Sequence, residues 1–326
     1  MPLVFHSDVP PHGRVFKSLK GDEAVFTINE KTGNMFGSLK TREGRSFALE
    51  KCRYGHVWIE FDVEIFESMQ EPDYHARSDT NKFIQSSTPN QATATISLIV
   101  YYTPEFRDAT ADIEGFVNQA IAETNQGYAN SQIPLVAELF CAKEARVSDS
   151  NNGIQLLEDF STSLGTVRAL RNSADIAILL VKNSNYCGVA SRIHSIPSGR
   201  NYAWVLKGCA LGYFTFAHEI GHLFGAGHNR LVYPFNSHFP YGHGYLIPNG
   251  YRTIMAYSAP NHWLRVNHYS SKDVSYNGNP TGNWKTNNAK VIFNNRFAMA
   301  ASGGEENNCT LTSESSFKKS IINFIL

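Results

Sequence analysis

The pattern of apolar and polar positions changes near residue 70 and divides the chain into two parts. Residues 1–70 contain the segments AVFTINE, MFGSLKT, SFALEK and HVWIEFDVEIF, which are rich in β-branched and aromatic residues and are separated by turn-forming stretches. This pattern predicts a small β-rich N-terminal segment of short strands. Residues 71–92 are polar, with a proline near each end, and are predicted to form a linker.

From residue 93 onwards, predicted strands alternate with predicted helices. The strands are TATISLIVYY, IPLVAELF, DIAILLV and NYAWVLK, and the helices include IQLLEDF and VRALRN. Between the first two strands, Ile113, Phe116, Val117 and Ala120 follow the spacing of a helix. This alternation predicts an α/β (α+β) fold with a mostly parallel sheet covered by helices. Residues 301–326 are predicted to be a polar C-terminal tail that ends in a short apolar run.

Composition and charge exclude several classes of protein. Apolar residues make up 42% of the chain, which is enough for a large core, and the formal net charge is zero. A neutral chain offers no basic field for nucleic acid or an anionic membrane. The apolar runs are far shorter than the ~20 residues that a transmembrane helix needs. The N-terminus shows no signal-peptide pattern.

The stretch FAHEIGHLFGAGHN carries the candidate chemistry. His218 and His222 are four residues apart, so they lie on one face of a helix and can both bind one metal ion. Glu219 lies between these directions and can reach a metal-bound water. Gly225 allows the chain to turn, which brings His228 towards the same ion. Three neutral imidazoles and one water form the open tetrahedral site that is typical of catalytic Zn²⁺.

This motif resembles the long zinc motif of the metzincin clan of metalloendopeptidases. RTIMAYS, with Met255, resembles the clan's Met-turn, an apolar floor beneath the metal. The similarity covers roughly residues 93–300 and is greatest to the adamalysin or reprolysin-like branch. Asn229 departs from the aspartate that adamalysins commonly have at this position. The resemblance implies a metzincin-type catalytic domain with a twisted, mostly parallel sheet and an active-site helix.

The resemblance also implies an activity. The chain is expected to be a zinc-dependent endopeptidase that hydrolyses protein or peptide substrates, with Glu219 as general base and acid. Tyr257 resembles the tyrosine that some metzincins place near zinc, although a purely structural role is an open alternative. The other function considered is a non-catalytic metzincin-fold protein that binds a partner through its cleft. Glu219 favours the enzyme, because binding alone does not need a general base.

Two segments are expected to contact the substrate. CGVASRI, residues 187–193, is the candidate edge strand to which an extended peptide adds. The segment near Ser258, Ala259 and Pro260 is expected to help form the pocket for the residue that follows the cleaved bond.

By position, residues 1–70 resemble a pro-domain that keeps such peptidases latent. Cys52 is the candidate thiolate ligand that would block the zinc, although it could also be a core thiol. Asp22 and plain steric cover are the alternatives. The linker of residues 71–92 offers an activation cleavage site, with a trypsin-like position at Arg77.

The chain contains five cysteines, so at least one of them has no partner within the chain. Cys187 and Cys209 flank the candidate edge strand and the strand before the histidine helix. They are predicted to form a disulfide, with two buried free thiols as the alternative. Asn308 begins a glycosylation sequon. The protein is expected to be secreted and monomeric.

Overall fold

The computed structural model describes residues 3–11, 13–18, 22–41, 43–69, 92–166, 174–191, 201–235, 239–258 and 263–303. Several predictions concern residues outside these ranges. They are the linker up to residue 91 with Arg77, the VRALRN helix, the polar tail from residue 304 with Asn308, and the pair Ala259 and Pro260.

The N-terminal part forms a six-stranded sheet. Each strand pairs antiparallel with the next one along the chain, so the spatial order is the chain order. The strands are β1 (Val4–Val9), β2 (Gly13–Lys17), β3 (Glu23–Ile28), β4 (Met35–Lys40), β5 (Ser46–Cys52) and β6 (Gly55–Glu60).

The end of this part corrects the sequence prediction. The stretch HVWIEFDVEIF is not one strand, because β6 ends at Glu60 and a short helix, α1 (Val63–Ser68), follows it. Aspartate is a favoured residue just before a helix, since its carboxylate accepts hydrogen bonds from exposed backbone amides. The Oδ1 atom of Asp62 accepts a bond from the amide of Ile65 at 3.4 Å. The apolar residues at the end of this stretch, Ile65 and Phe66, therefore lie on a helical turn, whereas Val57, Trp58 and Ile59 lie in β6.

The second sheet has five strands in the order β10, β11, β9, β7, β8. All adjacent strands are parallel except β10 and β11, which are antiparallel. The mixed α/β fold predicted from the sequence is confirmed. The strands are β7 (Ala94–Tyr102), β8 (Leu135–Glu144), β9 (Ile176–Val181), β10 (Gly188–Ala190) and β11 (Tyr202–Leu206).

The longer helices cover this sheet, and five short strands complete the C-terminal part. The helices are α2 (Pro104–Asp108), α3 (Ile113–Asn130), α4 (Gly153–Thr166), α5 (Lys207–Ala210), α6 (Thr215–Leu223) and α7 (Asn288–Ala300). The short strands are β12 (Leu246–Ile247), β13 (Tyr251–Arg252), β14 (Leu264–Arg265), β15 (Ser275–Tyr276) and β16 (Asn279–Pro280). None of the helices in the described ranges is long and apolar enough to cross a membrane.

The sequence of strand β9 is an uninterrupted apolar run, and its burial explains why. Its six residues are all buried, and they alternate between two apolar cores on opposite faces of the sheet. Ile178 belongs to the core that contains α3 and α6, whereas Leu179 belongs to the core that contains α4. A strand buried on both faces loses the polar alternation of a surface strand. This sheet carries β10, the edge strand beside the histidine helix.

Helix α3 joins the two sheets, because it packs on both β8 and β3. Its contacts with the N-terminal sheet are partly polar and buried. The hydroxyl of Thr27 donates to Oε1 of Gln119 at 2.9 Å, and the amide of Asn29 donates to Oδ1 of Asp112 at 2.9 Å. Buried polar groups are costly unless they are paired, so these bonds specify one docking position for the N-terminal sheet.

Candidate active site

Helix α6 and the turn after it bring the three predicted histidines together. His218, His222 and His228 are buried, and one nitrogen of each lies within 4.8 Å of the other two. The Nε2 atom of His218 lies 3.0 Å from that of His222 and 3.3 Å from that of His228. Among the described residues, no other group of this kind is found.

Backbone carbonyls fix the tautomers of the two helical histidines. The Nδ1 atom of His218 lies 2.9 Å from the carbonyl of Ile254, and that of His222 lies 2.9 Å from the carbonyl of Ala226. A carbonyl can only accept, so both Nδ1 atoms carry the proton and both Nε2 atoms present a lone pair. Two lone pairs at 3.0 Å repel each other unless a cation lies between them. The arrangement therefore fits a metal cation.

The turn that brings back His228 begins at Gly225, whose φ of +97° favours glycine. The amide of Gly225 also bonds to the carbonyl of His222 at 2.8 Å. Beyond the turn, Asn288 holds Gly227 from both sides, since its Nδ2 donates to the carbonyl at 2.9 Å and its Oδ1 accepts from the amide at 3.3 Å. These bonds fix the position of the backbone that leads into His228.

Two further side chains near the turn were missed by the sequence analysis. His243 is buried, and its Nδ1 donates to the carbonyl of His228 at 3.1 Å. Burial lowers the pKa of His243, so its imidazole is held in the neutral form. The hydroxyl of Ser270 donates to the carbonyl of His243 at 2.6 Å. Neither residue stands in a recognisable motif, because each acts on backbone atoms that are distant in sequence.

Glu219 lies against the edge strand β10. A Cβ atom placed on Gly188 would stand 2.5 Å from Oε1 of Glu219, so the missing side chain makes room for the carboxylate. The predicted disulfide between Cys187 and Cys209 is confirmed, with a Cα separation of 5.5 Å. It ties the start of β10 to the short helix α5 just before α6. The candidate edge strand does lie at the edge of its sheet, and residues 192 and 193 fall outside the described ranges.

The methionine turn lies directly beneath helix α6. A Cβ atom on Gly221 would stand 2.5 Å from the sulfur of Met255, so the helix and the methionine are in close contact at this point. Tyr257 follows, and its ring centre lies 4.0 Å from that of His228 and 6.0 Å from that of His218. Asn229 accepts a bond from the amide of Tyr257 at 2.9 Å. The residue that departs from the adamalysin pattern thus makes a local hydrogen bond.

A narrow pocket opens beside the histidines and Glu219. Its other lining residues are Phe66 of α1, Cys187, Gly188, Tyr213, Thr215, Tyr257 and Arg265. The cavity has a volume of only about 10 Å³, which is close to the space of one water molecule. Phe66 packs on Tyr213 with ring centres 5.2 Å apart. The N-terminal part of the chain therefore contributes one wall residue, Phe66, to the pocket beside Glu219.

Arg252 organises the loop that follows the methionine. Its Nε donates to the carbonyl of Trp263 at 2.8 Å, its Nη1 donates to the carbonyl of Ala256, and its Nη2 donates to the hydroxyl of Tyr213 at 3.0 Å. Arg252 thus joins the two ends of the loop that contains Ser258, the described part of the predicted substrate segment.

The structure does not bring the predicted blocking ligand to the histidines. Cys52 is a free cysteine at the end of β5, where it lies opposite Gly55 in the β5–β6 hairpin. Its sulfur is not part of the histidine group. Asp22 is also not part of that group, and its carboxylate accepts a bond from the hydroxyl of Ser18 at 2.8 Å within a turn. Hairpin pairing and turn bonds hold these two side chains where they are.

Comparisons with known proteins agree with this geometry. A sequence model of Metallo-peptidase family M12 matches residues 92–301. The chain is 38% identical over 307 residues to the peptidyl-Asp metalloendopeptidase of Xanthomonas campestris pv. campestris, covering 90% of this chain and 73% of that protein. It is 35% identical over 283 residues to the peptidyl-Asp metalloendopeptidase of Stenotrophomonas maltophilia strain K279a, covering 81% of this chain and 67% of that protein.

One solved structure, described as a chaperone–substrate complex, is similar in fold alone. It aligns with a TM-score of 0.53 at 17% identity, and the alignment covers 85% of this chain but 41% of that one. The family match spans well over half of the chain, and the sequence prediction of a metzincin-type metalloprotease is confirmed. The chain belongs to metallopeptidase family M12 and is a metalloendopeptidase, a hydrolase that acts on peptide bonds of proteins and peptides.

Proposed function

We propose that His218, His222 and His228 bind one Zn²⁺ ion and that Glu219 performs the proton transfers of peptide hydrolysis. The convergence of the three histidines beside a buried carboxylate carries the proposal. Tetrahedral ligands at about 2.0–2.1 Å from Zn²⁺ stand about 3.4 Å apart. The observed Nε2 separations of 3.0 and 3.3 Å are close to this value.

The residues of the chain take separate parts in the reaction. A bound Zn²⁺ supplies Lewis acidity, which makes water acidic near neutral pH and polarises a carbonyl. The carboxylate of Glu219 accepts the proton of the attacking water and then passes it to the nitrogen of the leaving amine. Tyr257 donates a hydrogen bond to the carbonyl oxygen as negative charge develops on it. Met255 provides the apolar floor of the site.

The edge of β10 is the proposed binding place for an extended substrate. Strand addition would align the peptide antiparallel or parallel to Gly188–Ala190 and bring its scissile bond near Glu219. Two relatives carry the name peptidyl-Asp metalloendopeptidase. We therefore also propose that this enzyme cleaves next to aspartate.

The N-terminal part is proposed to keep the enzyme latent. Residues 1–70 would form the pro-domain, residues 71–92 the linker that is cleaved on activation, residues 93–300 the peptidase domain and residues 301–326 a tail. Steric cover is better supported than a thiolate lock. Phe66 lines the pocket beside Glu219, whereas Cys52 lies in a hairpin outside the histidine group.

The proposed setting is extracellular, with a monomeric enzyme. The Cys187–Cys209 disulfide supports this setting, because disulfides persist in oxidising compartments. A non-catalytic protein that binds a partner through its cleft is the weaker alternative. Such a protein has no use for a buried carboxylate beside a metal site, and Glu219 is 1% exposed.

Metal analysis and a single carboxylate variant test the proposal. The purified chain should contain one zinc per molecule, and His222→Ala should lose it, since one of three ligands is gone. Glu219→Ala should keep both zinc and fold but lose peptidase activity about 10²–10⁴-fold. Full zinc occupancy in His222→Ala would refute the ligand assignment. An unchanged rate in Glu219→Ala would refute the role of the carboxylate.

A further inference from the structure

Arg265 places a positive charge in the pocket beside Glu219. It belongs to β14, which pairs in parallel with β13 through Arg252. The side chain is buried, its Nη1 donates to the carbonyl of Tyr213 at 3.0 Å, and its guanidinium lies 4.4 Å from the centre of the Tyr213 ring. Arg265 lines the same narrow pocket as His218 and Glu219. The guanidinium of Arg265 and the proposed reaction centre therefore share one small pocket.

Three aromatic side chains share the walls of this pocket with the charge of Arg265. Phe66, Tyr213 and Tyr257 line the pocket with Arg265. A cation that is surrounded by aromatic rings and shielded from water interacts strongly with a carboxylate, because little solvent screens the pair. Guanidinium groups also match carboxylates in shape and can bind both oxygens. The charge of Arg265 therefore favours an acidic side chain over a neutral or basic one at its own end of the pocket, which Glu219 also lines.

Two other basic residues near Arg265, Arg252 and Lys40, lie outside the pocket. Arg252 uses its three nitrogen atoms on Trp263, Ala256 and Tyr213, so it supports the loop. Lys40, from the N-terminal sheet, is half-buried at the junction of the two parts of the chain. Burial, together with the nearby charges of Arg252 and Arg265, lowers the pKa of Lys40 to about 7. Neither Arg252 nor Lys40 is among the residues that line the pocket.

We infer that Arg265 is the specificity-determining residue of this peptidase and binds the carboxylate of an acidic substrate residue next to the cleaved bond. The inference depends on the proposed function, and it assigns to one side chain the preference suggested by the relatives' names. In the intact chain Phe66 forms part of the wall of this pocket. The acidic residue can reach Arg265 once the N-terminal part has moved away.

The test compares two substrates within one enzyme preparation. The zinc-loaded full chain is assayed before and after limited trypsin digestion, with the trypsin then inhibited. Its substrates are peptides without lysine or arginine that differ only in one residue, Asp or Asn, and mass spectrometry locates the cleaved bond. Because Asp and Asn have the same shape, the ratio of their kcat/KM values measures recognition of charge. The ratio does not depend on how much of a variant is folded.

The wild-type enzyme should prefer Asp over Asn by roughly 10–10²-fold, the value of a charge-assisted hydrogen bond. Arg265→Gln should bring the ratio of the two kcat/KM values close to one, because the charge that distinguishes Asp from Asn is gone. Arg265→Lys should keep part of the preference, and it serves as the deciding variant if Arg265→Gln is inactive. Arg252→Gln is the matched comparison. It should lower kcat/KM for the Asp and Asn peptides by the same factor, because Arg252 supports the loop and does not line the pocket.

The outcomes separate the two proposals. An Arg265→Gln or Arg265→Lys enzyme that keeps the full Asp preference would overturn the inference. So would a wild-type enzyme that cleaves both peptides equally well, although the proposed peptidase function would then still stand. A zinc-loaded chain that cleaves no peptide even after digestion would instead contradict the proposed function itself.

Discussion

The backbone amide of Cys187 donates a hydrogen bond of 2.8 Å to the carbonyl of Met69. This bond joins the last described residue of the N-terminal part to the residue that leads into β10, the edge strand beside Glu219. Phe66, three residues earlier, lines the pocket next to that carboxylate. The chain thus uses its own backbone and one aromatic ring to cover the edge on which we propose that the substrate binds.

Disrupting this cover should activate the uncut chain. Phe66→Asp removes a ring that packs on Phe61 and Tyr213 at 5.5 and 5.2 Å. Loss of a packed phenylalanine typically costs about 3–5 kcal/mol, so the segment should leave the cleft more often. We expect the peptidase rate of the uncut variant to rise at least about tenfold.

Cys52→Ser is the matched control and should not change the rate, because Cys52 lies outside the histidine group. The rates are measured with a quenched fluorescent peptide, and electrophoresis confirms that the chain is uncut. The reverse result, with activation by Cys52→Ser and none by Phe66→Asp, would restore the thiolate lock. A wild-type chain that is fully active before cleavage would contradict latency altogether.

A methyl group at Gly188 should disturb Glu219 without disturbing the metal. The added Cβ would stand 2.5 Å from Oε1 of the carboxylate, which is closer than van der Waals contact permits. Glu219 must then shift, and a small misplacement of a catalytic group can cost up to about 10²-fold in rate. We expect Gly188→Ala to lower kcat by about 10–10²-fold with full zinc content.

Zinc analysis and circular dichroism of the same sample separate this effect from loss of the site. Ala190→Gly, two residues along the same strand, is a suitable control, because it removes a methyl group from β10 rather than adding one beside Glu219. A wild-type kcat in Gly188→Ala would show that the rate does not depend on the observed position of the Glu219 carboxylate.

The sequence predicted the local part of the site well and its remote part poorly. His218 and His222 are four residues apart on one helix, so the helical repeat alone predicted that they converge. The turn at Gly225 predicted the return of His228. By contrast, Asn288 and His243 act on the backbone of residues 227 and 228 through contacts that only the folded chain creates. The spacing of residues in the sequence does not predict such contacts.

The same distinction applies to the fold. The apolar run at β9 indicated a buried strand, because both of its faces lie in cores. The segment 61–66 was predicted to be β, since its apolar residues do not by themselves distinguish a strand from a single helical turn. Cys52 was chosen for its chemistry, and chemistry cannot show that hairpin pairing holds the thiol elsewhere. Phe66 was overlooked because a lone phenylalanine resembles any core residue.

Asn229 should matter through its side-chain oxygen. Oδ1 accepts the amide proton of Tyr257 at 2.9 Å, and the Tyr257 ring packs on His228. Asn229→Ala leaves that buried amide without its acceptor, which typically costs about 1–3 kcal/mol. We expect kcat to fall about tenfold while zinc remains bound, because Tyr257 is no longer held in place.

Asn229→Asp keeps an oxygen at the same position and should retain most of the activity. Comparison of kcat with KM is informative here, because a loss confined to kcat is the expected result for a group that positions the tyrosine. Equal activity in the alanine and aspartate variants would show that this hydrogen bond does not position a functional residue.

His268 should make the intact chain less stable in acid. It is buried near the N-terminal sheet, in a small cavity that Glu23 and Lys40 also line. Burial is the main cause that lowers the pKa of His268 to about 4; Glu23 opposes the shift, and the charges of Lys17 and Lys40 add to it. The unfolded chain takes up this proton near pH 6.5, whereas the folded chain resists it until about pH 4. The stabilisation is therefore complete above pH 6.5 and is lost as the pH falls towards 4.

The variant His268→Asn isolates this contribution, since asparagine stays neutral. Glu123 acts in the opposite direction, because burial raises its pKa to about 7 and the folded chain gains stability as that carboxylate is protonated. The Glu123 contribution is common to both proteins and cancels in their difference. Between pH 7 and pH 4.5 the variant should gain about 2 kcal/mol relative to the wild type. Thermal unfolding of both proteins across this range measures the gain, and a difference that stays constant with pH would rule out titration of His268 as a source of acid instability.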